Sequence, residues 1–221
     1  MKIGLMVAMQ KELEFFAGKV ERSSVQTVGG RSFMQGELQG HEIIATVSGM
    51  GKVNAALCAA TLITAYRVDL ILNIGISGGL DNSVDIGDFV LGRDIVYHDV
   101  WCGEGNEYGQ IQDMPLYYHS DADLAAKLTH LKQGLLCCGD WFVSKTEELN
   151  HIKDKFPQAL AVDMESAAIA QTCYLNRVPF LCVRQISDTP GGEHHQEQYE
   201  NFWQNAPEHS ILELEKILER L

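Results

Sequence analysis

The chain has 221 residues, a hydrophobic fraction of 46% and a charged fraction of 21%, which are ordinary values for a globular protein with one large domain or two small ones. Its formal net charge is −13, from 17 basic and 30 acidic residues. A surface this negative repels phosphate backbones and anionic lipids, so neither nucleic acid nor a membrane is expected as a partner.

The cysteines and the apolar runs favour a cytoplasmic protein. Six cysteines occur without a CxxC pair or zinc-finger spacing, which indicates a reducing compartment rather than a disulfide framework. The apolar stretch at the N-terminus is too short for a signal peptide. No run approaches the ~20 apolar residues that a membrane-spanning helix needs.

Strands and helices are predicted to alternate along most of the chain. Apolar runs predict strands at residues 2–8, 31–38, 41–48, 70–76, 86–96, 134–144, 158–162 and 179–186. Helices are predicted at 10–20, 53–66, 121–131, 146–156 (capped by Thr146), in the Ala-rich run after Asp163, and at 207–221. Residues 100–118 are predicted to form a long loop, and loops of this length in a compact domain are usually functional or disordered. This order predicts an α/β fold with a mixed, mostly parallel central sheet, in a single domain spanning 1–221.

Carboxylates stand where predicted strands end. The segment AVDMESAAIA places Asp163 and Glu165 at the passage from a strand to a helix, where α/β proteins bind ligands. Acidic side chains also suit the positive end of a helix dipole, so both interpretations remain open for this pair. Glu12, taken alone, is expected to be a solvated carboxylate at a helix start. Arg184 and Asp188 end a buried strand and are expected to line either a site or the core.

The glycine-rich and histidine-rich segments carry weaker signals. Segments 49–54 and 75–79 do not match a phosphate-binding loop, and their glycines are expected to form tight turns. Segment 193–197 lacks the HExxH spacing of a zinc site, so an exposed polar loop without a metal is expected.

Taken together, several segments resemble the bacterial 5′-methylthioadenosine/S-adenosylhomocysteine nucleosidases of the purine nucleoside phosphorylase-like superfamily. The resemblance extends over nearly the whole chain. It rests on KIGLMVAMQKE, SGMGKVNAA, NIGISGGL, YHD with EYGQ, FPQALAVDMESAAIA and VRQISD. It implies a three-layer αβα fold, a homodimer, and hydrolysis of an N-glycosidic bond that releases adenine and a 5-thioribose. No cofactor is expected.

The resemblance also implies roles for three carboxylates. Asp188 matches the general acid that protonates the purine, and Glu12 matches the residue that activates the attacking water. Glu165 matches the carboxylate that binds the ribose hydroxyls. A glycosidic bond breaks through an oxocarbenium-like transition state, so an acid at the leaving group and a carboxylate beside the sugar suit this chemistry.

The other expected site residues surround these three. By resemblance, Phe142 and Val143 form the adenine pocket, with Phe142 stacking on the base, and Met164 lies beside the sugar. Met9 and Met50 are expected to line the sugar and alkylthio region, and Arg184 and Ser187 to support the water and Asp188. Ser77 and Gly78 are also expected among the substrate-binding residues. At NIGISGGL the family often has a hydroxyl residue where this chain has Ile76, and here Ser77 supplies the hydroxyl one position later.

Rival functions remain open at this point. A nucleoside phosphorylase needs an anion site, for which Arg184 is one candidate ligand. A futalosine-type nucleoside hydrolase is a second rival, and a non-catalytic nucleoside sensor is a third. In a homodimer, the partner's 100–118 loop is expected near the site.

Overall fold

In the computed structural model, which describes residues 1–191 and 195–221 without the side chains of 204–208, strands and helices alternate as predicted. The strands are β1 (Lys2–Val7), β2 (Glu21–Val28), β3 (Arg31–Leu38), β4 (His41–Val47), β5 (Leu70–Gly79), β6 (Phe89–Tyr97), β7 (Tyr118–His119), β8 (Lys132–Cys138), β9 (Ala159–Asp163) and β10 (Phe180–Asp188). The helices are α1 (Gln10–Ala17), α2 (Lys52–Thr61), α3 (Ala122–Ala125), α4 (Thr146–Lys155), α5 (Ser166–Asn176) and α6 (His195–Arg220). A π-helical turn, Leu62–Tyr66, extends α2.

The sheet is mixed, with five parallel and five antiparallel pairings among the described strands, and part of it closes on itself. Strand β1 lies parallel to β4 and to β5, and β5 lies parallel to β10. Beyond β10 follow β6, β8 and β9, and β9 returns to β5 by pairing with Gly78 and Gly79. This ring of five strands brings the carboxyl ends of β5, β9 and β10 to one place.

Two apolar layers lie on opposite faces of the sheet. Alternate residues of a strand point to opposite faces, so Met6 of β1 packs with α2 and α5, while Leu5 and Val7 pack with α1 and α6. The residues of β5 alternate in the same way, with Ile71 on one face of the sheet and Leu72 on the other. The predicted three-layer αβα architecture is therefore confirmed. None of the helices formed by the described residues is long and apolar enough to span a membrane.

Several predicted boundaries are wrong. Strand β2 escapes prediction because it is an exposed and polar edge strand with no apolar alternation. The helix predicted at 121–131 is only the single turn α3, followed by turns that bury Leu128 and Leu131. The strand predicted at 134–144 ends at Cys138. The last helix begins at His195 and not at Pro207, although proline favours a first helical turn.

The predicted cap of α4 is also wrong. The Thr146 hydroxyl donates to the Gly191 carbonyl at 3.1 Å instead of capping the helix. Glu148 takes the capping role, because its carboxylate accepts hydrogen bonds from the Ser144 and Lys145 backbone N–H groups. The long loop predicted at 100–118 contains no helix, and its only regular residue is Tyr118, the first of β7.

Candidate active site

A cavity of about 90 Å³ opens where β5, β9 and β10 end. The twelve residues expected from the resemblance all line it: Met9, Glu12, Met50, Ser77, Gly78, Phe142, Val143, Met164, Glu165, Arg184, Ser187 and Asp188. The structure therefore brings together side chains from segments that are far apart in the sequence.

Glu12 is buried, so the expectation of a solvated helix-start carboxylate is wrong. It lies in the first turn of α1, and its Oε2 accepts hydrogen bonds from the Ala8 and Met9 N–H groups at 2.9 and 2.8 Å. Its Oε1 accepts from the Ile76 N–H at 3.0 Å. Burial raises the pKa of Glu12, while these backbone donors and the charge of Arg184 oppose the shift.

The glycines of segment 75–79 lie inside strand β5 and do not form the predicted turn. Gly75 is needed because a Cβ there would lie 2.7 Å from the Glu12 Oε1. A side chain at this position would therefore displace the carboxylate from β5. Gly49 and Gly51, in contrast, have φ of +82° and +91° and do form the predicted turn before α2.

Arg184 is the buried cation beside these acids, with 2% of its surface exposed. Its Nε lies 2.7 Å from Asp163 Oδ2, and its Nη2 donates to Asn73 Oδ1 at 2.6 Å. Asp163 Oδ1 accepts from the N–H groups of Glu165 and Ser166 and from the Ser166 hydroxyl, at the start of α5. Asp163 therefore accepts hydrogen bonds at the start of α5 and also holds the Arg184 guanidinium.

Glu165 faces the cavity from the end of β9. Its Oε1 accepts a hydrogen bond from the Gly51 N–H at 2.8 Å, which joins it to the turn before α2. Burial and the neighbouring charge of Asp163 raise the pKa of Glu165, and Arg184 opposes them. The other carboxylate oxygen, Oε2, has no hydrogen-bond partner among the described residues and is suited to accept from a ligand hydroxyl.

Asp188 ends β10 beside two polar neighbours. The Ser187 Oγ lies 2.5 Å from Asp188 Oδ1 and 3.2 Å from the Ser77 carbonyl oxygen. A hydroxyl has one proton, so Ser187 donates to one of these oxygens at a time. When it donates to Ser77, Asp188 can donate its own proton to Ser187, and this arrangement therefore accommodates both the neutral and the ionised acid. Burial raises the pKa of Asp188, against the opposing effects of Ser187 and His195.

His195 corrects the expectation of an exposed polar loop at 193–197. It is buried at the start of α6, with 7% of its surface exposed, and its Nε2 lies 2.7 Å from Asp188 Oδ2. Its ring centroid lies 5.7 Å from that of Phe142. Glu193 and His194 lie outside the described residues. No group of three or more His, Cys, Asp or Glu residues suited to hold a metal occurs in the part of the chain that the structure describes.

Sequence reasoning also missed the aromatic wall of the cavity. Tyr199 of α6 lines it, with its ring edge-on to Phe142 at a centroid distance of 5.8 Å. Trp141 lines it next to Phe142, and both rings are about half exposed. Ser77 Oγ is buried without a hydrogen-bond partner among the described residues, so it is free to bind a ligand.

Known proteins of similar sequence identify the family of this chain. The Phosphorylase superfamily model matches residues 2–219, which defines the class of the protein. A 5′-methylthioadenosine/S-adenosylhomocysteine nucleosidase from Staphylococcus aureus is 38% identical over 228 residues, covering 99% of this chain and 100% of that protein. The chain belongs to the phosphorylase superfamily and, within it, to the family of 5′-methylthioadenosine/S-adenosylhomocysteine nucleosidases, as the sequence resemblance predicted.

Similar solved structures include a nucleosidase of this family and a futalosine hydrolase. The Streptococcus pneumoniae MTA/SAH nucleosidase in complex with 8-aminoadenine has a TM-score of 0.95 and 33% identity, with 100% of each chain covered. The futalosine hydrolase of Helicobacter pylori has a TM-score of 0.92 and 27% identity, with 100% of this chain and 98% of that chain covered.

Replacing Asp163 by Asn should destabilise the protein strongly. The change leaves the Arg184 guanidinium buried without its charge partner, which typically costs about 3–5 kcal/mol. Urea unfolding of the variant should therefore show a lower free energy of unfolding. Asp154→Asn, an exposed change on α4, is the control and should leave stability nearly unchanged. Equal stability of the two variants would contradict the importance of the Arg184–Asp163 pair.

Proposed function

We propose that this protein hydrolyses the N-glycosidic bond of 5′-methylthioadenosine and S-adenosylhomocysteine, releasing adenine and a 5-thioribose. The observation that supports this most directly is the placement of Glu12, Glu165 and Asp188 around one cavity. All three are buried, and burial raises the pKa of each carboxyl group. Family membership gives the substrate class.

Asp188 acts as the general acid in this proposal. A purine leaves as a neutral base only if a ring nitrogen is protonated, and such general-acid help is typically worth ~10²–10⁴ in rate. The raised pKa of Asp188 favours the protonated form that this step needs. Ser187 supports the acid, because its hydroxyl can hydrogen-bond to Asp188 in either protonation state. Ser77 offers its unpaired hydroxyl to the base.

Glu12 and Glu165 act on the sugar side. Glu12 orients and deprotonates the attacking water, while its backbone hydrogen bonds fix the carboxylate in place. Glu165 accepts hydrogen bonds from the ribose hydroxyls. Their negative charges also stabilise the positive charge that develops on the sugar ring. Phe142 and Val143 contact the adenine, and Met9, Met50 and Met164 line the sugar and alkylthio region.

The charges of the cavity favour water over phosphate as the nucleophile. Four carboxylates line the cavity, and Arg184 is the only cationic side chain among its described lining residues. Arg184 already contacts Asp163 and Asn73. It is therefore a poor phosphate ligand, and an incoming phosphate dianion would be repelled by the neighbouring acids. This argues against a phosphorylase.

The decisive assay follows adenine release from 5′-methylthioadenosine with and without inorganic phosphate. We expect equal rates in both conditions and free 5-methylthioribose as the sugar product. Strict dependence on phosphate would contradict hydrolysis. Futalosine is tested in parallel because of the similar Helicobacter pylori structure, and faster turnover of futalosine would reassign the substrate. No turnover of any nucleoside would favour a sensor.

Glu12→Gln should retain nucleoside binding and lose most hydrolysis. The amide cannot accept a proton from water, so kcat should fall by about 10²–10⁴ while the Kd of a non-hydrolysable nucleoside changes little. Glu14→Gln on the same helix is the matched control, because Glu14 is exposed and does not line the cavity. Normal kcat in Glu12→Gln, with folding checked by circular dichroism, would contradict the assigned role.

We further propose a homodimer formed through the adjacent helices α2 and α5. Large apolar side chains of both helices are exposed, including Val53, Leu57, Tyr174 and Leu175. Trp101 of the long loop is 57% exposed as well. Exposed apolar groups of this kind are typical of subunit interfaces. In the dimer, the partner's 100–118 loop lies near the site.

Val53→Glu should dissociate this dimer. The new carboxylate would be buried unpaired in the interface, so size-exclusion chromatography with light scattering should give a mass near 24.6 kDa instead of twice that value. Val25→Glu on the edge strand β2 is the control, since Val25 is equally exposed but lies outside the proposed interface. A dimeric Val53→Glu variant would contradict this interface.

We also propose that the protein works in the cytoplasm as a single domain. All six cysteines are free, and five of them are buried, which suits a reducing compartment. The continuous sheet and the two apolar layers support one domain.

A further inference from the structure

The turn that holds the Glu165 carboxylate is itself held by a second carboxylate. Glu165 Oε1 accepts a hydrogen bond from the Gly51 N–H at 2.8 Å, immediately before α2. The next N–H group along the chain, that of Lys52, donates to Asp140 Oδ1, also at 2.8 Å. Two carboxylates from distant parts of the chain therefore accept from consecutive N–H groups at the start of α2. Glu165 lines the cavity, whereas Asp140 is not among its described lining residues.

Lys52 and Asp99 complete a closed set of polar contacts with Asp140. The Lys52 Nζ donates to Asp99 Oδ2 at 2.6 Å and lies 3.8 Å from Asp140 Oδ2. The Asp140 N–H donates to the same Asp99 oxygen at 2.9 Å. Asp99 follows the end of β6, and Asp140 follows the end of β8. The start of α2 is thus joined to the ends of two strands of the sheet.

Gly51 allows both carboxylates to approach the same short segment. Its φ of +91° is a conformation that residues with a side chain rarely adopt. A Cβ at this position would also lie only 3.0 Å from Asp140 Oδ1. The positive end of the α2 dipole favours the negative charge of both acids. Because the contacts of Asp140 and Glu165 depend on one backbone conformation, a shift of the turn would move the partner of Glu165.

We propose that Asp140 is a positioning residue, which fixes the start of α2 so that the Gly51 N–H orients the Glu165 carboxylate toward the ribose. This inference rests on the proposed function, in which Glu165 accepts hydrogen bonds from the ribose hydroxyls. With Oε1 bound to Gly51, Oε2 is the oxygen available to a hydroxyl. A carboxylate that is already held in place loses little conformational freedom when the nucleoside binds. Asp140 therefore acts through the turn and does not touch the nucleoside.

The surroundings of Asp140 allow its side chain to be removed without loss of the fold. The side chain is 48% exposed, so water can replace it as the partner of the Lys52 N–H. The Lys52 ammonium keeps its contact with Asp99, which is the shorter of its two ion pairs. Truncation of Asp140 should therefore loosen the turn and leave the apolar layers of the protein intact.

The test measures how three ligands bind to the wild type and to Asp140→Ala, by isothermal titration calorimetry. The ligands are adenine, the C-nucleoside analogue of 5′-methylthioadenosine, in which a carbon–carbon bond replaces the glycosidic bond, and the 2′,3′-dideoxy form of that analogue. Asp140→Ala should raise the Kd of the C-nucleoside about tenfold, because its hydrogen bonds to the charged Glu165 are weakened. The Kd of adenine and of the dideoxy analogue should change less than about twofold, because neither offers a ribose hydroxyl to Glu165.

Two further variants serve as controls. Asp140→Asn keeps an oxygen that can accept from the Lys52 N–H, so the Kd of the C-nucleoside should stay within about threefold of the wild-type value. Asp154→Ala, an exposed change on α4, should bind all three ligands like the wild type. Thermal unfolding followed by circular dichroism checks that each variant is folded at the temperature of the titration.

The outcomes separate this inference from the proposed function. An equal rise in Kd for the two nucleoside analogues would assign Asp140 a general role in the shape of the cavity, and unchanged Kd values would show that the turn does not need it. Either result would overturn the proposal. Equal losses in Asp140→Asn and Asp140→Ala would overturn it as well, because they would reflect only the lost charge beside Lys52. Wild-type protein that releases no adenine from 5′-methylthioadenosine would contradict the proposed function itself, whereas normal wild-type hydrolysis with any of these results contradicts only the role of Asp140.

Discussion

One buried guanidinium determines how the acids of this site are arranged. Arg184 lies in β10 directly opposite Gly75 of β5, and it contacts Asp163 and Asn73. Its charge lowers the pKa of both Glu12 and Glu165, which burial would otherwise raise further. Because Arg184 is a single positive charge near three carboxylates, Asp163, Glu12 and Glu165, it neutralises only part of their negative charge. A buried charge with excellent partners is costly to disturb, so this part of the core tolerates little variation.

The closure of the sheet makes this arrangement possible. Strand β9 pairs with Gly78 and Gly79 at the end of β5, while β10 pairs with the other edge of β5. The ends of both strands therefore meet, and Asp163, Glu165 and Asp188 lie at or just after their last residues. In an open sheet, β6 and β8 would separate β9 from β10. The site is thus a consequence of strand topology as much as of its residues.

The sequence predicts those parts of the molecule that depend on local patterns. The apolar strands and the carboxylates at their ends follow from periodicity, and the family resemblance selects Glu12, Glu165 and Asp188 from among the acids. The turn predicted from the glycines of β5 is wrong because distant groups approach them in the strand, Glu12 at Gly75 and Pro190 at Gly78. His195 could not be found in the same way. Its burial depends on how α6 packs beyond β10, and no local pattern encodes that.

The distribution of charge around the cavity also explains why this fold can favour hydrolysis over phosphorolysis. In the proposed reaction the nucleophile approaches the sugar from the side of Glu12. Phosphate would meet Glu12 and Glu165 there, with Arg184 already bound by Asp163. Water carries no charge and can donate a proton to Glu12, so in the proposed reaction the carboxylate that repels phosphate is also the group that activates water. A shift to phosphorolysis would therefore require a new free cation on the Glu12 side and the loss of an acid. It would not require a change at Asp188, because the role proposed for Asp188 at the leaving group is the same in both reactions.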